Sequence, residues 1–161
     1  MSNEFFDLID DLNSNDTELV ETACRDAAIL LERHVSKRYD DTEYKELFSN
    51  SFLYDFRLNK EGFKRLTDRL LFILETNEHC ASIAAWGIGK TNDDSFSQKL
   101  IDSLRVYLRK ENDEVVYQLI VSLENCGVAD GLPLIEEVAI TPRLAKSSEY
   151  AKGVLILYRN T

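Results

Sequence analysis

The sequence has little of what metal-binding or disulfide-bonded proteins need. Its 161 residues include only three cysteines and two histidines. No Cys-x-x-Cys pair occurs, and the histidines, His34 and His79, are 45 residues apart. Metal-site spacing is therefore missing, and we expect no cofactor. We interpret Cys24, Cys80 and Cys126 as buried core thiols, with a catalytic Cys–His pair formed in space as the alternative.

Long hydrophobic runs are also missing. The stretch from His79 to Gly89 has no charged residue, but it is too short to cross a bilayer. The first residues are acidic where a signal peptide would be basic, so we expect a cytoplasmic protein. The length predicts a single domain over residues 1–161, with acidic N-terminal helices in 1–39 and helical hairpins in 40–161.

Positive charge is scarce near the start of the chain. Acidic residues outnumber basic ones by 29 to 19, a net charge of −10. Residues 1–46 hold 13 acids and 5 bases, which is −8 of that total. This field repels DNA, RNA and anionic membranes, and it attracts a basic protein. An acidic surface that only keeps the protein in solution is the plainer interpretation.

What the sequence does have is apolar residues at helical spacing along most of its length. No run alternates at period two for long enough to indicate a strand, so we predict an all-α fold. The cluster Asn15-Asp16-Thr17 suits an N-cap before the second apolar stripe, and Asn59 precedes the fourth. The apolar stripes in the first half are Phe5 to Leu12, Leu19 to Val35, Tyr44 to Phe52 (a third helix) and Phe63 to Leu74.

A repeat of 35 residues marks the second half. Asn77, Asn112 and Ser147 are spaced by this length, and each suits a helix N-cap. Positions 4, 7, 8 and 11 after each cap share one helix face and are all apolar or aromatic. They are Ala81, Ala84, Ala85 and Ile88; Val116, Leu119, Ile120 and Leu123; and Ala151, Val154, Leu155 and Tyr158. Gly87, Gly89 and Gly127 suit left-handed C-terminal caps. Second helices follow near residues 96–108 and 132–139, so antiparallel hairpins of about 35 residues are predicted. An irregular helical bundle is the alternative.

Two segments carry a resemblance to a known family. Ala84-Ala-Trp-Gly-Ile-Gly89 and Ser122-Leu-Glu-Asn-Cys-Gly127 resemble the ends of first helices in HEAT repeats. The resemblance implies a short armadillo/HEAT-like solenoid that binds proteins along its second-helix surface, with residues 5–39 as a capping helix pair. A weaker resemblance is to small, acidic, HEAT-like immunity proteins of bacterial toxin systems.

One motif imitates a nucleotide site. Gly87-Ile-Gly-Lys-Thr91 contains the Gly-Lys-Thr of a phosphate-binding loop, but Ala84 stands where that loop needs its first glycine. The preceding segment is predicted to be a helix rather than a strand. We therefore interpret Gly-Lys-Thr as a helix exit, and we predict that the chain is not an enzyme. An active site assembled from distant residues stays the alternative.

The leading functional prediction is a protein-binding module. Its most specific form is an immunity or inhibitor protein that blocks the active site of a basic, nuclease-type toxin. The alternative is a general HEAT-like scaffold or adaptor. The candidate partner-binding residues are Asp7, Asp10, Asp11 and Glu18 near the start, and Asp68, Asp102, Tyr107, Glu136 and Glu137 on second helices.

Overall fold

The computed structural model of the chain describes residues 3–159. These residues form eight α-helices and four short 3-10 turns, and no β-strand occurs among them, which confirms the all-α prediction. The helices are α1 Asn3–Leu12, α2 Thr17–Ser36, α3 Lys60–Thr76, α4 Ala81–Gly89, α5 Ser97–Arg109, α6 Asp113–Cys126, α7 Leu132–Ala139 and α8 Ala145–Arg159. The turns are Thr42–Glu46, Ser51–Asp55, Asp94–Phe96 and Ala129–Gly131.

The chain divides into two compact units, one ending at Thr91 and the other beginning at Asn92. In the first unit, α2 and α3 both pack against α4, and α1 packs against α2. The N-terminal helix pair therefore belongs to the same core as α3 and α4. In the second unit, α5 packs against α6, and α8 packs against both α6 and α7. In residues 3–159, no helix has the length and apolarity that a membrane span requires.

Small residues let the helices of the first unit approach closely at α4. A Cβ added to Gly87 would lie 2.8 Å from Leu70 Cδ1 on α3 and 3.4 Å from Ala28 Cβ on α2. The prediction that Gly87 and Gly89 form left-handed caps is wrong, because both residues lie inside α4 and neither has a positive φ. Their small size serves helix packing instead.

Local capping explains where most helices begin and end. The carboxylate of Asp16 accepts the N–H groups of Glu18 and Leu19, and Asn59 and Asn112 cap α3 and α6 in the same way. Gly127 ends α6 at φ 129°, a conformation that side chains disfavour. These predictions are confirmed. Asn77 instead caps the turn before α4, by accepting the N–H of Cys80.

The start of α8 differs from the prediction. Ser147 is the third residue of α8 and is buried, so it is not the N-cap. The carboxylate of Asp113 on α6 accepts the N–H groups of Lys146 and Ser147 at 3.0 and 2.9 Å. A residue of another helix therefore supplies the acceptors that the first turn of α8 needs.

The predicted stripe of the repeat is buried almost throughout. Eleven of its twelve positions are buried, and Tyr158 is the exception at 38% exposed. A shift of 34 residues along the sequence also relates Leu66 to Leu100 and Leu70 to Leu104, and all four are buried. The stacking of these hairpins into a solenoid stays a prediction.

The predicted third helix, from Tyr44 to Phe52, is wrong. Residues 37–59, which we call the α2–α3 connection, contain two separate 3-10 turns capped by Asp41 and Asn50. Tyr44 and Phe48 are buried as a helical stripe would require, but Leu47 and Phe52 are exposed. Arg33 and Asp26 of α2 make hydrogen bonds to this connection.

Candidate functional site

The predicted acidic residues of α1 lie together on its solvent side. Phe5, Leu8 and Leu12 bury the opposite side of this helix. Asp7 and Asp10 are exposed and Asp11 is half-buried. The pKa of Asp11 is raised, first by partial burial and then by repulsion from the carboxylates of Asp7 and Asp10. The three charges are therefore close enough to interact, and they form a local negative field.

Glu18 is exposed in the first turn of α2. A carboxylate at this place favourably opposes the positive end of the helix dipole. Its position is therefore explained by helix stability as well as by partner binding.

The predicted acids on later helices are exposed, but most have partners within the chain. Lys64 donates to Asp68, and Gln98 and Arg105 donate to Asp102 at 3.0 and 3.2 Å. Arg159 donates to Glu136 at 2.5 Å, and Glu137 is exposed on α7. Exposed ion pairs of this kind are weak, so a stronger basic partner could replace them.

Tyr107 requires a correction. Its side chain is only 3% exposed and belongs to the buried stripe of α5 with Leu104 and Leu108. The ring therefore serves the core of the second unit and is not presented to a partner.

The cysteines behave as core residues. Cys24, Cys80 and Cys126 are buried and unbonded to one another. The pKa of Cys24 is raised to about 12, mainly by burial and then by the neighbouring Cys80. Burial also raises the pKa of Cys80. Because the thiolate is the nucleophile, these shifts disfavour a catalytic role.

The other chemical candidates also have structural explanations. His34 Nδ1 lies 2.9 Å from the hydroxyl of Tyr39, and Lys90 of the Gly-Lys-Thr motif donates to Glu32 at 3.0 Å. Helix α4 runs through Gly89, which confirms the helix exit. Within residues 3–159, no group of three or more His, Cys, Asp or Glu side chains could hold a metal ion.

A buried arginine, which no sequence pattern indicated, contacts the α2–α3 connection. Arg33 of α2 is 1% exposed and donates to the carbonyl of Tyr39 at 2.8 Å. Its guanidinium lies within cation–π distance of four rings of the connection. The distances to the ring centroids are 5.6 Å for Tyr39, 5.8 Å for Tyr44, 5.5 Å for Phe48 and 4.8 Å for Tyr54.

The charge of Arg33 is not neutralised by an ion pair among the described residues. Its Nε and Nη1 atoms are buried and have no hydrogen-bond partner within residues 3–159. Burying such a group costs stability. Among the described residues, the Tyr39 carbonyl and the four aromatic rings therefore stabilise the buried guanidinium.

Asp26, two turns earlier on α2, holds the connection at a second point. This side chain is 3% exposed, and it accepts the N–H of Ser49 at 2.8 Å. Burial raises the pKa of Asp26 above its ordinary value, although hydrogen bonds from Ser49 and Asn50 oppose the shift. Asp26 and Arg33 thus make polar contacts with a segment that forms no α-helix of its own.

Two grooves are among the concave features of the described residues. One, of about 770 Å³, lies between α6 and α8 and is mainly apolar, with Tyr117, Tyr150, Ile156 and Leu157 in its lining. The other, of about 320 Å³, lies between α1 and α3 beside Ile9, Arg69 and Phe72. In the first groove the Tyr150 hydroxyl donates to Glu124, so its polar lining is partly satisfied from within.

Comparison with known proteins yields no relative: no family model, no curated protein and no solved structure matches the chain.

Proposed function

We propose that this chain is a non-catalytic protein-binding module that inhibits a basic partner. The observation that carries the proposal is the negative field of α1, where Asp7, Asp10 and Asp11 interact on an exposed face. The charge of −8 in residues 1–46 extends the same field. A positively charged surface is the complement of such a face.

The most specific form of the proposal is an immunity protein for a nuclease-type bacterial toxin. Nucleases hold substrate phosphates in a cationic groove, and carboxylates can occupy the same groove. Opposite charges would accelerate the encounter, while buried anchors would set slow dissociation. Inhibition would then be steric and electrostatic, and it would need no chemistry from this chain.

The buried candidates for catalysis support a binding role. A cysteine with a raised pKa is a poor nucleophile, and Cys24 is fully buried. Asp113 is held within the chain as well, since it accepts the N–H and hydroxyl of Ser147.

A HEAT-like array over residues 40–161 is part of the proposal. It is supported by the burial of eleven of the twelve repeat positions. Consecutive helices pair as α3 with α4, α5 with α6 and α7 with α8, so each pair joins a second helix of the predicted repeat to the first helix that follows it. In such an array neighbouring hairpins cover one another's apolar faces.

Purification of the tagged chain from its native cells tests the function. We expect one basic protein at equimolar amount, whose association with the chain slows as salt is added in steps. If that protein is a nuclease, its cleavage of nucleic acid should stop when this chain is added. Unchanged cleavage would reject inhibition, and several unrelated partners would favour the adaptor instead.

A pair of variants tests the role of α1. Asp7→Asn, Asp10→Asn and Asp11→Asn together remove three of the four negative charges of α1. The control variant combines Glu114→Gln, Asp130→Asn and Glu149→Gln, which removes equal charge from exposed sites of the second unit that are not partner-binding candidates. We expect the α1 variant to slow association with the purified partner roughly tenfold at low salt, because exposed charges act mainly on association. Equal slowing in both variants would contradict the assignment to α1.

A further inference from the structure

We infer that the α2–α3 connection is the docking surface for an apolar patch surrounded by lysine and arginine side chains on a partner protein. The inference deepens the proposed function and rests on it. It concerns Leu47 and Phe52, which lie within the predicted third helix but are exposed in the structure.

The connection exposes more apolar surface than its own fold requires. The side chain of Phe52 is 71% exposed and that of Leu47 is 54% exposed. Phe52 lies in the turn Ser51–Asp55, and Leu47 directly follows the turn Thr42–Glu46. The two turns contact each other. Exposed aromatic and aliphatic side chains on a fixed support are typical of the anchors that dominate binding energy.

Acidic side chains are in the majority close to these anchors. Arg38 pairs with Asp41, and Arg57 lies 3.6 Å from Asp40. With the exposed Lys37, the connection as a whole holds five acids and four bases. Within residues 42–55, the carboxylates of Glu43, Glu46 and Asp55 stand against the single Lys45. All three carboxylates are exposed. The complement of this surface is therefore apolar at its centre and basic at its rim.

The connection is held in place, which limits the entropy that binding would cost. Arg33 lies among four of its rings, and Asp26 accepts the N–H of Ser49. The connection also stacks on the first helix, since the rings of Phe5 and Phe56 lie 5.0 Å apart. A preorganised surface loses less conformational freedom on binding. Two buried polar residues of α2 thus hold a segment that exposes Leu47 and Phe52 among charged side chains.

The surface is continuous with the acidic helix of the proposed function. Helix α1 contacts the turn Ser51–Asp55, which carries Phe52. A basic partner attracted by the carboxylates of α1 would therefore bind beside the turn that carries Phe52. The acids would act on the encounter, and the apolar anchors on the lifetime of the complex.

The test uses synthetic peptides and the full-length chain. The probe is an amphipathic helix of leucine and lysine, about two heptads long, which presents an apolar stripe between cations. One control peptide replaces lysine with glutamate, and the other replaces leucine with serine. Binding is measured by fluorescence anisotropy, and the contact site by amide chemical shifts of the isotope-labelled chain.

We expect the leucine–lysine peptide to shift the amides of residues 42–56. Phe52→Ser should weaken its binding roughly tenfold, which corresponds to about 1.4 kcal/mol. Leu157→Ser is the matched control, because Leu157 is 63% exposed on α8 and its removal takes similar apolar surface from another place. That variant should bind the peptide as the natural chain does. Both variants change exposed positions, and their far-ultraviolet circular dichroism should equal that of the natural chain.

Three outcomes would overturn the inference: equal weakening by Leu157→Ser, equal binding of the leucine–glutamate peptide, or amide shifts confined to other elements. Binding that is unaffected by Phe52→Ser but abolished in the triple α1 variant would overturn this docking surface and leave the proposed function standing. Failure of both lysine peptides to bind the natural chain would count against the two proposals together.

Discussion

Asp26 and Asp113 perform the same task in the two units but in different surroundings. Each carboxylate accepts backbone N–H groups of a segment distant in sequence, Asp26 from Ser49 and Asp113 from Lys146 and Ser147. Asp26 is almost fully buried, whereas Asp113 is half-buried. Burial acts on both carboxylates to raise the pKa. It prevails at Asp26, but hydrogen bonds from Ser147 and Lys146 outweigh it at Asp113, whose pKa is lowered.

The comparison extends to the segments that these residues hold. In the second unit Asp113 caps a regular helix, so the helix supplies most of its own hydrogen bonds. In the first unit Asp26 and Arg33 hold a connection with only short 3-10 turns. The same kind of side-chain contact therefore supports a regular element in one unit and substitutes for one in the other.

The largest effect should come from Arg33. Arg33→Ala removes the cation from four aromatic rings and leaves a cavity, so we expect a loss of about 3 kcal/mol in the free energy of unfolding. Urea denaturation measures the loss, and hydrogen exchange should show lower protection in residues 39–56. Arg33→Met is the control, because it fills the space without a buried charge and should cost much less. Equal losses in the two variants would show that the rings do not depend on the cation.

A smaller effect is expected at Asp113. Asp113→Ala removes the carboxylate that accepts the N–H groups of Lys146 and Ser147 at the start of α8. Loss of a cap costs about 1 kcal/mol. The lowered pKa means that this stabilisation is complete above the unfolded carboxyl value, about 3.9, and is lost as the pH falls through the folded value. The difference between the natural chain and the variant should therefore shrink in acid. Asp130→Ala, at an exposed site in a 3-10 turn, is the control and should change the free energy of unfolding little. If the stability difference between the natural chain and Asp113→Ala stayed the same below the folded pKa, this account would be contradicted.

The smallest effect, with the opposite dependence on pH, is expected at Asp26. Its raised pKa means that the folded chain favours the protonated carboxyl. The associated stabilisation is present below about pH 3.9 and is lost as the pH rises through the folded pKa. Asp26→Asn keeps an oxygen for the Ser49 N–H and removes the buried charge. We expect unfolding curves in urea to give this variant a flatter profile between pH 4 and 7, and equal or slightly greater stability at neutral pH. A marked loss at neutral pH would show that the hydrogen bonds to the ionised carboxylate prevail over burial.

The helices were predictable where their signals are local. The periodic stripes and the caps at Asp16, Asn59, Asn112 and Gly127 lie within a few residues of the elements that they define. The acidic face of α1 was predictable for the same reason, because residues 7, 10 and 11 are neighbours on any helix.

The predictions from sequence are wrong where a residue distant in sequence determines the local structure. Tyr44 and Phe48 have the spacing of a helix, yet their rings pack around Arg33, which belongs to α2. Ser147 has the chemistry of an N-cap, but Asp113 takes that role from another helix. Tyr107 was predicted to contact a partner, but its side chain is buried in the apolar stripe of α5. No short-range pattern carries these facts.

The amino-acid sequence by itself determined that the chain is helical, that its apolar positions repeat, and that its negative charge is concentrated near the start. Those properties follow from backbone periodicity, capping and composition, which need only near neighbours. The tertiary structure alone decided that residues 37–59 are held open and that Leu47 and Phe52 face solvent. That outcome depends on two buried polar side chains of α2, and only folding brings them to the connection.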